Sequence, residues 1–437
     1  MQVFPPIRDE SAMHDAKPAP DLDLAWVRAQ FPALHQTDDD GRPIVFFDGP
    51  GGTHVPEAVI EAVSRYYRTI NANTHGVFAT SRKTDEMLAA AHRAAADFLG
   101  CDADEVVFGQ NMTSLTFAVS RAIGDTLGPG DEVLLTCLDH DANFTPWALM
   151  ARDRGATVKV VDIDPRDCTL DLADFERKLG PRTRLVAVGM ASNATGSRTD
   201  VAHVARRAHA VGALVYADAV HYAPHGPLDV RRLDCDFLAC SAYKFFGPHL
   251  GLLYGRRSLL TRLAAYKVRP TADEGPEKWE TGTLNHEGIA GFLAAIDYLA
   301  ALGHRVEPGA ASRRAALLAA MTGVQAYERG LSARLLAGLR RVDGLTIYGI
   351  DDPERLDGRT PTVSVRIAGH APVAVARHLA ARGVYCWDGN FYAQNLAERL
   401  GVEASGGFLR IGLVHYNTIE EIERLEAALA ELPASTG

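Results

Sequence analysis

The chain has no excess of basic residues: 45 lysines and arginines face 55 aspartates and glutamates, a formal net charge of -10. Nucleic-acid binding needs a basic face that displaces counterions, so a nucleic-acid partner is not expected. Cysteine is scarce, with six residues: Cys101, Cys137, Cys168, Cys235, Cys240 and Cys386. None forms a C-x-x-C pair or a zinc spacing with histidine, so disulfide staples and a zinc site are both disfavoured. Residues 1–21 are polar and proline-bearing and lack the apolar stretch of a secretion signal, which points to a reducing cytoplasm. The longest apolar segment, residues 290–302, is interrupted by Asp297 and reads as too short to span a bilayer, so no membrane partner is expected.

What remains is an ordinary globular composition, 437 residues with 47% apolar and 23% charged side chains. A chain this long can bury most of its unfolded surface without staples. From residue 104 to 255, short apolar runs alternate with helical patterns. The candidate strands cover 105–108, 132–136, 157–161, 185–190, 213–217, 237–240 and 252–254. Most are apolar without strict alternation, as strands covered on both faces are. The clearest helix between them, 200–212, has an acidic start, a glycine stop and an apolar side at Val201, Val204, Ala205, Ala208 and Val211. This βαβ alternation predicts an α/β protein with a mostly parallel, doubly wound sheet.

After Thr283 the pattern changes to a long helical stretch over 311–341, strand-like runs at 345–348, 362–367, 384–387 and 408–413, and helices near 373–382 and 419–432. These predict a smaller α+β domain. The expected division is an arm over 1–22, a large domain over 23–305 whose first part packs with the small domain, and a small C-terminal domain over 306–437.

Ligands of open α/β sheets bind beyond the carboxyl ends of the strands. The residues that follow the candidate strands are Asp139-His140-Asp141, Ser192-Asn193-Ala194-Thr195-Gly196, Asp218 with His221, and Ser241-Ala242-Tyr243-Lys244. A carboxylate, a lysine, an imidazole and an amide therefore meet at one edge. Pyridoxal phosphate (PLP) chemistry needs this set: an amine for the Schiff base, a carboxylate beside the ring nitrogen and a flat group over the ring. Its phosphate suits a helix N-terminus such as Gln110-Asn111-Met112-Thr113-Ser114. Each residue also has a plain reading. Asp218 alone could be a helix cap, His140 a satisfied loop histidine and Lys244 a surface charge, although its neighbours Tyr243, Phe245 and Phe246 make an idle ammonium costly. His221 and His225 lie four apart, but Pro224 between them argues against a helical metal pair, and no metal is expected.

Read together, these segments resemble the class V aminotransferases of PLP fold type I, above all the cysteine desulfurases, over residues 45–432. The likeness rests on Val45-Phe46-Phe47-Asp48, on Asp139-His140-Asp141-Ala142-Asn143 with Pro146-Trp147, and on Ser192-Asn193-Ala194-Thr195-Gly196. It continues through Tyr216-Ala217-Asp218-Ala219, Ser241 to Pro248, Glu280 to Asn285, Leu409-Arg410-Ile411 and Tyr416-Asn417-Thr418. The resemblance implies that Lys244 carries the cofactor and shuttles the α-proton, Asp218 pairs with the pyridinium, and His140 stacks on the ring. It implies phosphate contacts from Thr113, the Met112 amide, Ser241 and Tyr243. Thr283 of a second subunit would join them, hence a homodimer with shared sites. Asn193 and Arg410 would take the substrate carboxylate, Arg410 as a bidentate fork.

Two positions depart from the desulfurase pattern. His221 stands where a glutamine usually lies beside the cofactor oxygen. The loop that bears the sulfur-accepting cysteine reads Trp387-Asp388-Gly389-Asn390-Phe391-Tyr392-Ala393, with Tyr392 in the cysteine's place. A phenol cannot take sulfur as a persulfide, and Cys386 reads as structural. The expected function is therefore a PLP enzyme acting on an α-amino acid, with carbon–sulfur lyase or β-elimination chemistry and no enzyme persulfide. The alternatives are a persulfide-forming desulfurase, an aminotransferase, an isopenicillin N epimerase-like enzyme and a non-catalytic PLP binder.

Overall fold

The computed structural model describes residues 22–433. The expected N-terminal arm lies outside the described residues except for Leu22, which is buried. A short strand, β1 (Val45–Phe46), precedes two helices, α1 (Glu57–Thr69) and α2 (Ala79–Leu99). The main sheet follows, built from β2 (Val106–Gly109), β3 (Glu132–Thr136), β4 (Thr157–Val161), β5 (Thr183–Gly189), β6 (Leu214–Asp218), β7 (Phe237–Ser241) and β8 (Gly251–Gly255). Its order is β2-β8-β7-β6-β5-β3-β4. β8 runs antiparallel to both its neighbours, and every other pairing in the sheet is parallel. The doubly wound, mostly parallel sheet is as expected.

Strand geometry explains why both faces are apolar. In β5, Leu185 and Ala187 join one core cluster while Val186 and Val188 join the other. Side chains alternate across the sheet, so a strand covered on both sides must be apolar at every position. One face is covered by α3 (Met112–Gly124) through Leu115, Val119, Ala122 and Ile123. The other is covered by α2 and by α4 (Val201–Ala210), through Val201, Val204, Ala205 and Ala208. Asp200 caps α4 by accepting from the His203 amide at 2.9 Å, which supplies the expected acidic start.

Two long helices, α5 (His286–Val306) and α6 (Arg313–Leu339), lead to the second sheet. Here one expectation is corrected. The apolar segment is not confined to 290–302: α5 is 21 residues long, and its length and composition suffice to cross a bilayer. It instead packs against α1, α2 and α6, and Ile289, Phe292, Ile296 and Leu299 enter the large core. Gly303 crosses the Ala316 carbonyl so closely that a Cβ has no room.

The second sheet has the order β9-β10-β13-β12. Its strands are β9 (Leu345–Tyr348), β10 (Thr362–Ile367), β12 (Trp387–Gly389) and β13 (Phe408–Gly412). The predicted run 384–387 is split at Cys386. Its first half, β11 (Val384–Tyr385), pairs in parallel with β1, while β12 joins the antiparallel sheet. This ties the segment around Val45 to a core containing Leu335, Leu339, Val363, Leu409 and Ile411, with α7 (Pro372–Ala380) and α8 (Ile419–Ala430) packed over it. A small hairpin, Ile163–Asp164 with Thr169–Leu170, had no clear signal because two-residue strands carry no period.

Candidate active site

The carboxyl ends of β2, β3, β5, β6 and β7 open onto one cavity of about 920 Å³. Met112, Thr113, His140, Asn193, Asp218, His221, Ser241, Tyr243, Lys244 and Arg410 all line it. Of the expected site residues, only Thr283 does not. It is exposed in the segment before α5.

Lys244 lies just after β7, and its Nζ donates to the Pro50 carbonyl. Burial lowers its pKa to about 7; the nearby Arg410 charge adds to this, while Asp218 and Asp48 pull the other way. The amine is thus largely neutral at mildly basic pH, as a nucleophile must be. Asp218 ends β6 and accepts from the Val220 amide at 2.8 Å. Burial raises its pKa to about 6 against the pull of Lys244.

His140 follows β3. Its Nδ1 accepts from the Ala142 amide at 3.0 Å. Burial, with the charges of Lys244 and Arg410, holds its pKa near 4, so the ring is neutral and carries its proton on Nε2. Its ring stacks on Tyr392 at 5.4 Å between centroids. Beside it, Asp139 accepts from Thr136 Oγ1 at 2.6 Å and from Asn143 Nδ2 at 3.3 Å. Burial, with Asp218 as a like charge, raises Asp139 to about 7.

α3 points its N-terminus at the cavity. Asn111 caps it by accepting from the Ser114 amide at 2.9 Å. The Met112 amide donates to Ser241 Oγ at 3.0 Å, so within the chain it is satisfied by a residue expected to share its role. The Thr113 amide is the first-turn donor left over for an anion. Tyr243 stacks on His249 at 4.8 Å.

Arg410 reaches in from β13. Its Nη1 donates to the Asn193 carbonyl at 3.0 Å, and its guanidinium lies 4.0 Å from the Phe391 ring centroid. Burial lowers its pKa to about 9, partly offset by Asp48. Asn193 Nδ2 donates to the Phe391 carbonyl at 2.8 Å. Arg410 Nε and Asn193 Oδ1 are buried without partners. Buried polar atoms are almost always paired, so these two mark the place of a polar ligand.

Comparison with known proteins decides the family. The model of the class V aminotransferases matches residues 45–425. The chain belongs to the class V aminotransferase family. Members of this family are PLP-dependent enzymes, and the fold is that of PLP fold type I. The chain is 32% identical to a cysteine desulfurase of Pectobacterium carotovorum, covering 93% of this chain and 97% of that one. It is also 32% identical to a probable cysteine desulfurase of Mycolicibacterium paratuberculosis, over 95% of this chain but only 59% of that longer protein. Among solved structures, the apo cysteine desulfurase of Thermococcus onnurineus NA1 superposes with a TM-score of 0.83 at 27% identity, covering 94% and 98% of the two chains. A cysteine desulfurase from Escherichia coli gives 0.79 at 28% identity with the same coverage.

This class V aminotransferase has site residues that the strand-end reading missed. Asp48, just after β1, has a buried Oδ1 without a partner. Burial raises its pKa to about 6 against the pull of Arg410 and Lys244. Its motif was visible in the sequence, but its place beside Lys244 depends on β1 pairing with β11. His249 lines the cavity, which Asp48 itself does not, and its sequence signal was its position right after Pro248.

Proposed function

We propose that the enzyme binds PLP through Lys244 and acts on an α-amino acid, cleaving a carbon–sulfur bond by β-elimination without an enzyme persulfide. The carrying observation is the make-up of the cavity wall. Trp387, Asp388, Asn390, Phe391 and Tyr392 supply the loop, and none of the described cysteines lines the cavity. Tyr392 lies against His140 with 71% of its surface exposed. Cys386 sits between β11 and β12, and burial pushes its thiol well above the usual range. A thiol held protonated is a poor sulfur acceptor.

The residues present fit the cofactor. The Thr113 amide and hydroxyl at the start of α3, with Ser241 and Tyr243, suit its phosphate. Asp218 suits a pyridinium nitrogen, and His140 offers a neutral flat ring. When bound, PLP supplies an electron sink for the electron pair left at the α-carbon. Lys244 Nζ, free of its proton above about pH 7, serves as nucleophile toward an aldehyde and then as acceptor of the α-proton. Arg410 and Asn193 fix the substrate carboxylate, which orients the bond to be broken. A homodimer fits the exposed Thr283 and the exposed apolar Tyr67, Val77 and Phe78. Six free thiols fit a reducing cytoplasm.

The names of the relatives favour a second reading, persulfide-forming desulfuration. Cysteine and cysteine S-conjugates, each tested with and without a thiol reductant, separate the two. The expected products are pyruvate, ammonia and the released thiol, independent of reductant. Alanine formed through an enzyme persulfide seen by mass spectrometry would overturn the preferred reading. The same panel reports transamination as keto-acid exchange and epimerisation as loss of chirality. No α-deuterium exchange with any amino acid would favour a non-catalytic PLP binder.

A further inference from the structure

The cavity loop that follows β12 is held in a strained backbone. Among the described residues, Phe391 and Tyr392 are the only adjacent non-glycine residues in the left-handed region, with φ of 57° and 59°. A Cβ is unfavourable there, and glycine would fit without steric cost. Such positions persist only where the surroundings fix them, and they gather at functional sites. The fixing contacts are explicit. The Phe391 carbonyl accepts from Asn193 Nδ2 at 2.8 Å, and the Tyr392 carbonyl accepts from the Asp141 amide at 2.7 Å. Asn390 Oδ1 accepts from the Tyr392 amide at 3.0 Å. Asn390 Nδ2 donates to both Glu403 carboxylate oxygens, at 2.9 and 3.1 Å. At the base of the loop, Gly407 passes the Gly389 carbonyl so closely that a Cβ has no room.

The rings held in this way frame the anchors of the site. Phe391 lies 4.0 Å from the Arg410 guanidinium, and Tyr392 stacks on His140 with an interplanar angle of 26°. Trp387 sits directly opposite Arg410 in the antiparallel register of β12 and β13. Residues opposite one another share a face of the sheet, so the indole projects beside the guanidinium. Trp387 and Tyr392 line the cavity, yet 52% and 71% of their surface stays exposed. Rings this exposed do little to hold the fold, and their faces are free to take a ligand. The cavity, about 920 Å³, lies near the top of the roughly 300–1,000 Å³ usual for small-molecule sites, which leaves space for a side chain larger than that of cysteine.

We propose that Trp387 and Tyr392 form a specificity wall that selects a substrate with a flat, apolar group at the end of its side chain. The proposal rests on the β-elimination reading above and names its substrate class: a cysteine whose sulfur carries an aromatic group. Arg410 and Asn193 take the carboxylate, and the sulfur substituent lies against the two rings. The α-proton goes to Lys244 Nζ, and the carbon–sulfur bond breaks with its electron pair leaving on sulfur as a thiolate. The unsaturated amino acid that is released takes up water to give pyruvate and ammonia, so water is the one co-reactant.

S-benzylcysteine and S-methylcysteine test the wall, because they share the anchored groups and differ in the ring. In the wild type, kcat/KM for thiol release should favour the benzyl compound about 10- to 100-fold, as burying and stacking one phenyl ring implies. That ratio should fall at least about fivefold in Tyr392→Ala and in Trp387→Ala, and Tyr392→Phe should keep it. Asp388 also lines the cavity, so S-aminoethylcysteine serves as the cationic control. A preference for that compound over S-benzylcysteine overturns the proposal. A wild-type ratio near one overturns it too, as does a ratio unmoved in both alanine variants, whose folding a melting curve confirms. Binding separates this failure from failure of the functional reading. 2-Aminobutyrate and 2-amino-4-phenylbutyrate have no sulfur to lose, and their affinities, read from the bound-cofactor absorbance, should show the same preference for the ring. Tighter binding of the phenyl compound with no thiol release from any probe sinks the elimination reading and upholds the wall. Thiol release with no preference for the ring sinks the wall alone.

Discussion

Arg410 and Asn193 are joined across the two sheets: the guanidinium Nη1 donates to the Asn193 carbonyl at 3.0 Å, while Arg410 Nε and Asn193 Oδ1 remain buried and unpartnered. One contact holds the pair in place at the cavity wall, and the proposed function gives both residues to the substrate carboxylate. Arg410→Ala should therefore raise KM for the amino-acid substrate roughly 10- to 100-fold, the value of charge-assisted hydrogen bonds to a carboxylate. The bound-cofactor absorbance should persist. Steady-state kinetics beside a visible spectrum check this; an unchanged KM would remove Arg410 from substrate binding.

Lys244→Ala should give a colourless protein that keeps its fold. The wild type should be yellow when purified with PLP. The absorbance spectrum and a melting curve, taken together, distinguish lost attachment from lost structure. A variant that stays yellow would place the covalent link elsewhere.

The depressed Lys244 pKa makes a pH prediction. Only the neutral amine attacks an aldehyde, and the neutral fraction grows as pH rises through about 7. Reloading of stripped protein with PLP should accelerate across that point, well below the 10.5 of an ordinary lysine. Removing the Arg410 charge should move the midpoint upward. Stopped-flow absorbance measures both; a rate that keeps climbing to pH 10 would contradict the assignment.

Gly189 ends β5 where a Cβ would come within 2.6 Å of Asp139 Oδ1. Gly189→Ala should destabilise the protein by about 1–3 kcal/mol, the usual range for overpacking. Asp139 would have to move from Thr136 and Asn143, so cofactor affinity should fall as well. Denaturant melts and PLP titration report the two effects, and an undisturbed variant would show that Asp139 yields without cost.

The division between local and long-range information runs through this site. The parallel sheet, Lys244, Asp218 and His140 were legible because apolar runs and strand ends are properties of neighbouring residues. The length of α5 was not, since Asp297 looked like an interruption and is in fact one polar residue on a continuous helix. By itself the sequence determined which groups stand at the strand ends and in what order. Only the tertiary structure decided their ionisation and their company: it paired β1 with β11 to bring Asp48 beside Lys244, and joined His225 to Glu328 across 103 residues. Proton affinities follow from burial and from charges a few ångströms away, and those distances exist only once distant segments of the chain have packed together.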